Sequence, residues 1–540
     1  MTHKLPAIAL ASALLAPAAA AAATFVVDND SDAPDHTLGD GVCYVFGGGC
    51  TLRAAIEQAN ALPGPHTIQF DFSGAPTTIS PGTSLPSIAA QVTIDGYAGG
   101  TGAPNTLATG HDANIRIRLD GANISGAANG LTFLWGSNGS AVRGLAVTRF
   151  SWYGVNISGT VSNVTIAGNF IGTDGSGTGG DETGALANGF PAIEIANNAA
   201  DITIGGSTPA DRNLIVGAAN STGIRLTHAS GTTVRGNYIG TDRTGTSQRG
   251  TQTGIDVSRT ENTTAIMGNV IGAGQGGVRI ANGVNNVHIL ANRIGVGADG
   301  AANIGGTQNG VHITNGGQSA ASPAHITVEG NTIAHWALHG IYAQRVGNTA
   351  PALRYLRFTG NSIFGNGTLG IQLANSSPAE GIAPGSPAPA NVNAGQNPPA
   401  IQSAASGAGG TAVQFSFAGA PGTSQTLEVF ANTACHASGW GEGRTYLGQV
   451  VIATDAGGNY TGSAIVPPAP VGAWLTMTAS SEAPAGQYET SEFSQCAQIQ
   501  AGGPAGPSGA TPVPTLGHAA LALLSACVAG LGALRRRRSI

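Results

Sequence analysis

The chain has almost no lysine. Lys4 is the only one, so the chain beyond it is left without a lysine base or a Schiff-base nitrogen. Charge as a whole is scarce: 9% of residues are charged and the formal net charge is −6. Between the termini the arginines are scattered and form no basic stripe, which argues against nucleic acid as a partner. Aromatic residues make up 5% of the chain, few for one thick globular core. Neither a Cys-x-x-Cys pair nor a histidine cluster marks a metal centre. Long apolar runs are missing too, except at the two ends.

At the first end, Lys4 precedes an apolar run from Leu5 to Leu15 and an alanine tract. That order reads as a secretory signal over residues 1–23, with cleavage expected after Ala23. At the other end, Leu516 to Leu534 is an apolar segment of about 19 residues, enough at ~1.5 Å per residue to cross most of a hydrocarbon core. Arg535, Arg536, Arg537 and Arg538 follow directly and resist translocation. The expected topology is therefore a C-terminal helix in the inner membrane, with the arginine tail in the cytoplasm and the body exported. An oxidising envelope compartment suits disulfides, and the expected pairs are Cys43 with Cys50 and Cys435 with Cys496, leaving Cys527 in the apolar tail.

What the body has in plenty is glycine, 84 residues in the chain, much of it inside a repeat. Gly154-Val155-Asn156-Ile157, Gly223-Ile224-Arg225-Leu226, Gly254-Ile255-Asp256-Val257, Gly277-Val278-Arg279-Ile280, Gly310-Val311-His312-Ile313 and Gly370-Ile371-Gln372-Leu373 share one pattern. A second alternating stretch follows, such as Val164-Thr165-Ile166 or Ile326-Thr327-Val328, and then an asparagine with an isoleucine two positions on. The asparagines are Asn169, Asn213, Asn237, Asn269, Asn292, Asn331 and Asn361. Strands this short cannot bury an inner face alone, so they must stack on equivalent strands of neighbouring repeats. A repeat of roughly 23 residues is the size of one three-strand coil and is too short for a propeller blade. The expected fold is all-β: a right-handed parallel β-helix, a pectate-lyase-like solenoid, with the asparagine amides bonded from coil to coil as a ladder.

The expected organisation is a signal peptide (1–23), an N-terminal capping region (24–110) with a short helix over 51–62, β-helix repeats (111–380) and a Pro/Ala/Gly-rich linker (381–399). A small β-sandwich (400–500) follows, then a second linker (501–512) and a tail (513–540) with a transmembrane segment over 516–534. Leu52, Ala55, Ile56 and Ala59 share one face of the short helix, and Thr51 is available as its N-cap.

Three stretches resemble known families. Val513-Pro514-Thr515-Leu516, followed by the apolar run and the arginines, resembles the IPTL-CTERM class of bacterial sorting tails, with Val513 for Ile and Gly517-His518-Ala519 where Ser-x-Trp is more usual. That resemblance implies an exosortase-like processing enzyme as a partner. Cys50-Thr51-Leu52-Arg53-Ala54-Ala55-Ile56 resembles the start signature of the CSLREA domain, with Ala54 for glutamate. The Gly-Asn-x-Ile-Gly-Thr-Asp runs at 168–174 and 236–242 are similar to right-handed parallel β-helix repeat proteins of bacterial envelopes.

The middle residue of each first strand should point away from the core. In coil order these are Asn156, Glu194, Arg225, Asp256, Arg279, His312, Tyr342 and Gln372. Glu194, Arg225, Asp256, Arg279, His312 and Tyr342 are the candidate ligand-binding residues. One reading is a row of exposed ion pairs; the other is a face that binds or cleaves an extracellular glycan. No catalytic residue is assigned. Asp174, Asp242 and Asp299 recur after the asparagine strand, where they could hold Ca²⁺ or bond their own turn, and no cofactor is otherwise expected. The functional expectation is a non-enzymatic, adhesin-like surface protein, with a polysaccharide lyase or hydrolase, or a purely structural envelope component, as the alternatives.

Overall fold

The computed structural model describes residues 22–73, 76–99, 102–174, 185–260, 262–315, 323–347, 350–376, 389–483 and 487–502. Most of the expected signal segment and all of the expected sorting tail, with its transmembrane segment and arginines, lie outside these residues. Among the described residues no helix is long and apolar enough to cross a membrane.

Three parallel sheets of eleven, ten and nine strands wind round one axis. The first runs from Thr24–Val27 to Arg354–Thr359, the second from Thr77–Ile79 to Ser362–Phe364, and the third from Leu131–Phe133 to Ile371–Ser376. Their register puts like residues over like. In the third sheet Val155, Ile193, Ile224, Ile255, Val278, Val311, Ile341 and Ile371 form one internal column. In the second, Ile171, Ile215, Ile239, Ile271, Ile294, Ile333 and Ile363 form another. Nearly all of these side chains are fully buried, each worth roughly 1.5–3 kcal/mol of burial.

The spine asparagines bond in series. Each Nδ2 donates to the Oδ1 of the next, from Asn169 through to Asn361, at 2.8 to 3.2 Å. The backbone N–H of each asparagine before the last donates to that same oxygen. Nδ2 also donates to a carbonyl across the coil, as Asn237 does to Ile204 at 2.9 Å and Asn269 to Val234 at 2.9 Å. The glycines that open the third-sheet strands answer to close approach. A Cβ on Gly277 would stand 2.5 Å from the Gly310 carbonyl oxygen and 2.5 Å from Ile294 Cγ2.

Strand pairing already begins at Thr24, so the stretch 24–110 supplies the first coils as well as a cap. The helix Leu52–Ala61 starts at Thr51, whose side chain accepts from the Ala54 amide, and it buries Leu52, Ala55, Ile56 and Ala59 against the end of the solenoid. The Cys43–Cys50 disulfide closes the loop leading into it. A later segment folds back onto the outside of the second sheet, where Ala113 and Ile115 pack on Phe170, Leu214, Tyr238 and Val270. Arg212 and Arg243 tie this segment down through the carbonyls of Leu107, Ala108, Gly110, His111 and Ala113.

Beyond the solenoid, eight strands between Ala400 and Ala501 form one continuous sheet around its own apolar core. Ala497–Ala501 joins its halves, parallel to Ala400–Gly407 and antiparallel to Trp474–Ala483, so the two separate sheets of the expected sandwich are linked into one. The Cys435–Cys496 disulfide lies here. This domain closes the open end of the solenoid. Phe430 and Phe493 enter the solenoid core. Glu428 accepts from Thr359 Oγ1 and the Gly360 amide, Glu442 from the Gly365 and Asn366 amides, Glu492 from the Leu373 amide, and Glu489 pairs with Arg354. Part of the stretch expected as a linker, 381–399, belongs to this joint: Val392 is buried in the core, and Asn393 bonds the backbone of Leu356 and Thr490.

Replacing one rung tests the spine. Asn269→Ala removes the acceptor of both Asn237 donors and the donor to Val234, which should cost about 3 kcal/mol. Thermal unfolding should fall by several degrees, and an unchanged midpoint would count against the spine as a source of stability.

Candidate functional site

The outward row of the third sheet is in strict register. Asn156, Glu194, Arg225, Asp256, Arg279, His312, Tyr342 and Gln372 are consecutive partners across eight strands. They are less open than a row of exposed ion pairs: Glu194 and Gln372 are each only 5% exposed. Arg225 Nε donates to Glu194 Oε2 at 2.6 Å, and Arg279 Nη1 to Asp256 Oδ2 at 3.1 Å. Gln372 is taken out of the row by the terminal domain, donating to Glu492 Oε1 at 2.7 Å.

Burial pushes the Glu194 carboxyl up to about 7 against the pull of Arg225. It raises Asp256 too, opposed by Arg279. Further along, the rings of His312 and His339 stack on Tyr342 with centroids 5.2 and 5.0 Å away. Burial takes both imidazoles down to about 4, with Arg279 adding to the effect on His312, so they are neutral at neutral pH. His312 Nε2 is buried without a hydrogen-bond partner.

Sequence reasoning missed the aromatic flank of this row. Trp152, Tyr153 and Phe190 meet edge to face with centroids 5.9 to 6.1 Å apart. They sit just before the third-sheet strands Val155–Ser158 and Ile193–Ala196, on adjacent coils. The Tyr153 hydroxyl accepts from Arg225 Nη2 at 2.9 Å, while Trp152 and Phe190 remain 44% and 46% exposed. The signal was present as aromatics just ahead of two successive strand openings, visible only once those openings are stacked.

Two of the three loop aspartates serve their own turns. Asp242 accepts from Thr244 Oγ1 and the amides of Thr246 and Ser247, and Asp299 from the amides of Ala301 and Ala302. Asp174 lies 3.7 Å from Arg118. Among the described residues no group of three or more His, Cys, Asp or Glu is placed to hold a metal ion.

Residues 511–538 match the IPTL-CTERM motif. That motif implies an exported, sorted cell-surface protein whose tail anchors in a membrane and is processed by an exosortase-like enzyme. No curated protein matches the chain. Among solved structures it is similar to the periplasmic alginate epimerase AlgG, with 11% identity over 60% of this chain and 81% of that one and a TM-score of 0.33. It is also similar to the A-module of the Azotobacter vinelandii mannuronan C-5 epimerase AlgE4, with 17% identity over 63% and 97% and a TM-score of 0.32. Tailspike protein 2 of an Escherichia coli O157:H7 bacteriophage matches at 10% identity over 82% and 65%, with a TM-score of 0.31. The parallel β-helix rests on the strand register itself.

Two sets of buried groups oppose each other with pH. Glu194, Glu428 and Glu492 are raised by burial from 4.5 to about 7. Their contribution to stability is full below the lower value and is lost as pH rises through the higher. His111, His312 and His339 are lowered by burial from 6.5 to about 4. Their contribution is full above the higher value and is lost as pH falls through the lower. Between about pH 5 and 6.5 the two sets therefore act on the melting temperature of the native protein in opposite directions. In the Glu428→Gln/Glu492→Gln variant it should rise with pH over that window. Equal slopes in calorimetric scans of the two proteins would contradict this assignment.

Proposed function

We propose that the exported body is a non-catalytic, adhesin-like surface protein that lays an extended glycan along the outward face of the third sheet. On this reading the apolar tail and its arginines hold the chain in the inner membrane until processing. One observation carries the glycan reading: the charges of the row are satisfied by one another while the aromatic edges beside them stay open. Aromatic faces take the C–H faces of sugars, and the remaining N–H groups of half-exposed arginines donate to hydroxyls. Coils ~4.8 Å apart repeat that combination along the row.

A polysaccharide hydrolase or lyase is the second reading, and Glu194 favours it. Its carboxyl, near 7, suits an acid or base at neutral pH. Asp256 is two coils away, ~9.6 Å by strand spacing, at the wide end of the separation used for inverting hydrolysis. Arg225 stands between the two carboxylates and is bonded to Glu194, which leaves little room for a sugar ring and puts binding first.

The test is to pass the purified protein over immobilised acidic and neutral polysaccharides while assaying for new chain ends. Saturable binding with chain length unchanged, weakened about tenfold (~1.4 kcal/mol) by Trp152→Ala, is the expected result. Depolymerisation abolished by Asp256→Ala would put the enzyme first. Absence of binding to every polysaccharide would leave a structural envelope component.

A further inference from the structure

A cleft of about 540 Å³ opens where the last coils meet the terminal domain, away from the outward row. Arg444, Glu442, His335, His436, Phe364 and Ala301 are among its lining residues. Sites of this size at a domain boundary suit small molecules, and among the described residues the Arg444 guanidinium is in no ion pair. The Arg444 guanidinium lies over the Phe364 ring, 4.3 Å from its centroid. Its own backbone is pinned from both sides: its N–H donates to Asn432 Oδ1 at 2.8 Å, and its carbonyl accepts from Ser362 Oγ at 2.5 Å. The nearby Glu442 carboxylate is instead engaged by the Gly365 and Asn366 amides and by Asn366 Nδ2.

The two histidines complete the set. The Ser438 amide donates to His436 Nδ1 at 3.2 Å, which places the ring proton on Nε2. The His335 ring packs edge-on against Phe364 with centroids 5.8 Å apart. Burial, with help from Arg444 and against Glu442, lowers its basicity, so it supplies an N–H donor without a second full charge.

We infer that this cleft binds a carboxylate-bearing sugar unit, a uronate, with Arg444 clasping the carboxylate and His335 and His436 donating to the remaining oxygens. A planar guanidinium stacked on an aromatic ring presents a two-pronged edge that matches a carboxylate. Glu442 beside it repels a doubly charged anion such as phosphate more strongly than a singly charged carboxylate. The Phe364 edge and the Ala301 methyl leave apolar surface for the sugar ring.

Calorimetric titration of the purified protein with D-glucuronate, D-glucose and inorganic phosphate tests this. Glucuronate should bind saturably and at least tenfold more tightly than either control. Arg444→Gln, at an exposed position, should weaken it at least tenfold with an unchanged melting temperature, while Trp152→Ala should leave it unaffected. The assignment is overturned by no saturable heat with glucuronate, by glucose or phosphate binding as tightly, or by undiminished binding to Arg444→Gln.

Discussion

Each spine asparagine bonds the next through both its side chain and its backbone, and this holds every coil in phase with its neighbours. Phase is the quantity on which a solenoid of very short strands depends. Strands of two residues, such as Phe170–Ile171 or Leu214–Ile215, form too few ladder bonds to fix their own pairing. A slip of one residue would turn the isoleucine column outward and bring Phe170, Leu214 and Tyr238 inward. The carboxamide next to each such strand allows only one register, because its Nδ2 must find both the asparagine of the next coil and a carbonyl across the coil. The aliphatic columns, the glycine corners and the outward row all follow from that alignment.

Register has a cost at the ends, where the last coil has no successor to accept its amides. The terminal domain meets this with carboxylates. Glu428 reaches Gly360 near the first sheet, Glu442 reaches Gly365 and Asn366 after the second, and Glu492 reaches Leu373 within the third. An ionisable acceptor makes a strong bond to a backbone amide but must be desolvated to do so, which is why burial raises two of these groups. Phe430 and Phe493 supply the apolar half of the same plug. At the other end the helix uses Leu52 and Ile56 in that role, while Gln58, fully buried, bonds the carbonyls of Thr37 and Val42 in the stretch just before the disulfide loop.

The parts of this architecture that repeat were legible in the sequence. The asparagines, the isoleucines two positions on, and the middle residues from Glu194 to Tyr342 occupy fixed offsets, so one coil predicts the next. Both disulfide pairs agree with those expected for an oxidising envelope compartment. What stayed hidden depends on contacts made once. Nothing around Glu428 or Glu492 marks it as the cap of a strand many residues away. Arg212 and Arg243 look like two more scattered arginines until the segment they hold is seen lying over the second sheet. Trp152 and Phe190 are separated by an insertion that conceals their shared position.

The same distinction bears on what the outward row can do. A catalytic carboxylate is normally held in a state that the fold alone does not favour, ready to change partner during a turnover. Here Glu194 and Asp256 are each matched to an arginine one coil on, as the repeat itself requires if like charges are not to face each other. A face neutral in sum and flanked by open rings can hold a polymer by many weak contacts without distorting any one unit. If the face binds a polymer, its affinity would grow with the number of coils engaged, whereas a longer solenoid would do nothing for a single bond-breaking centre.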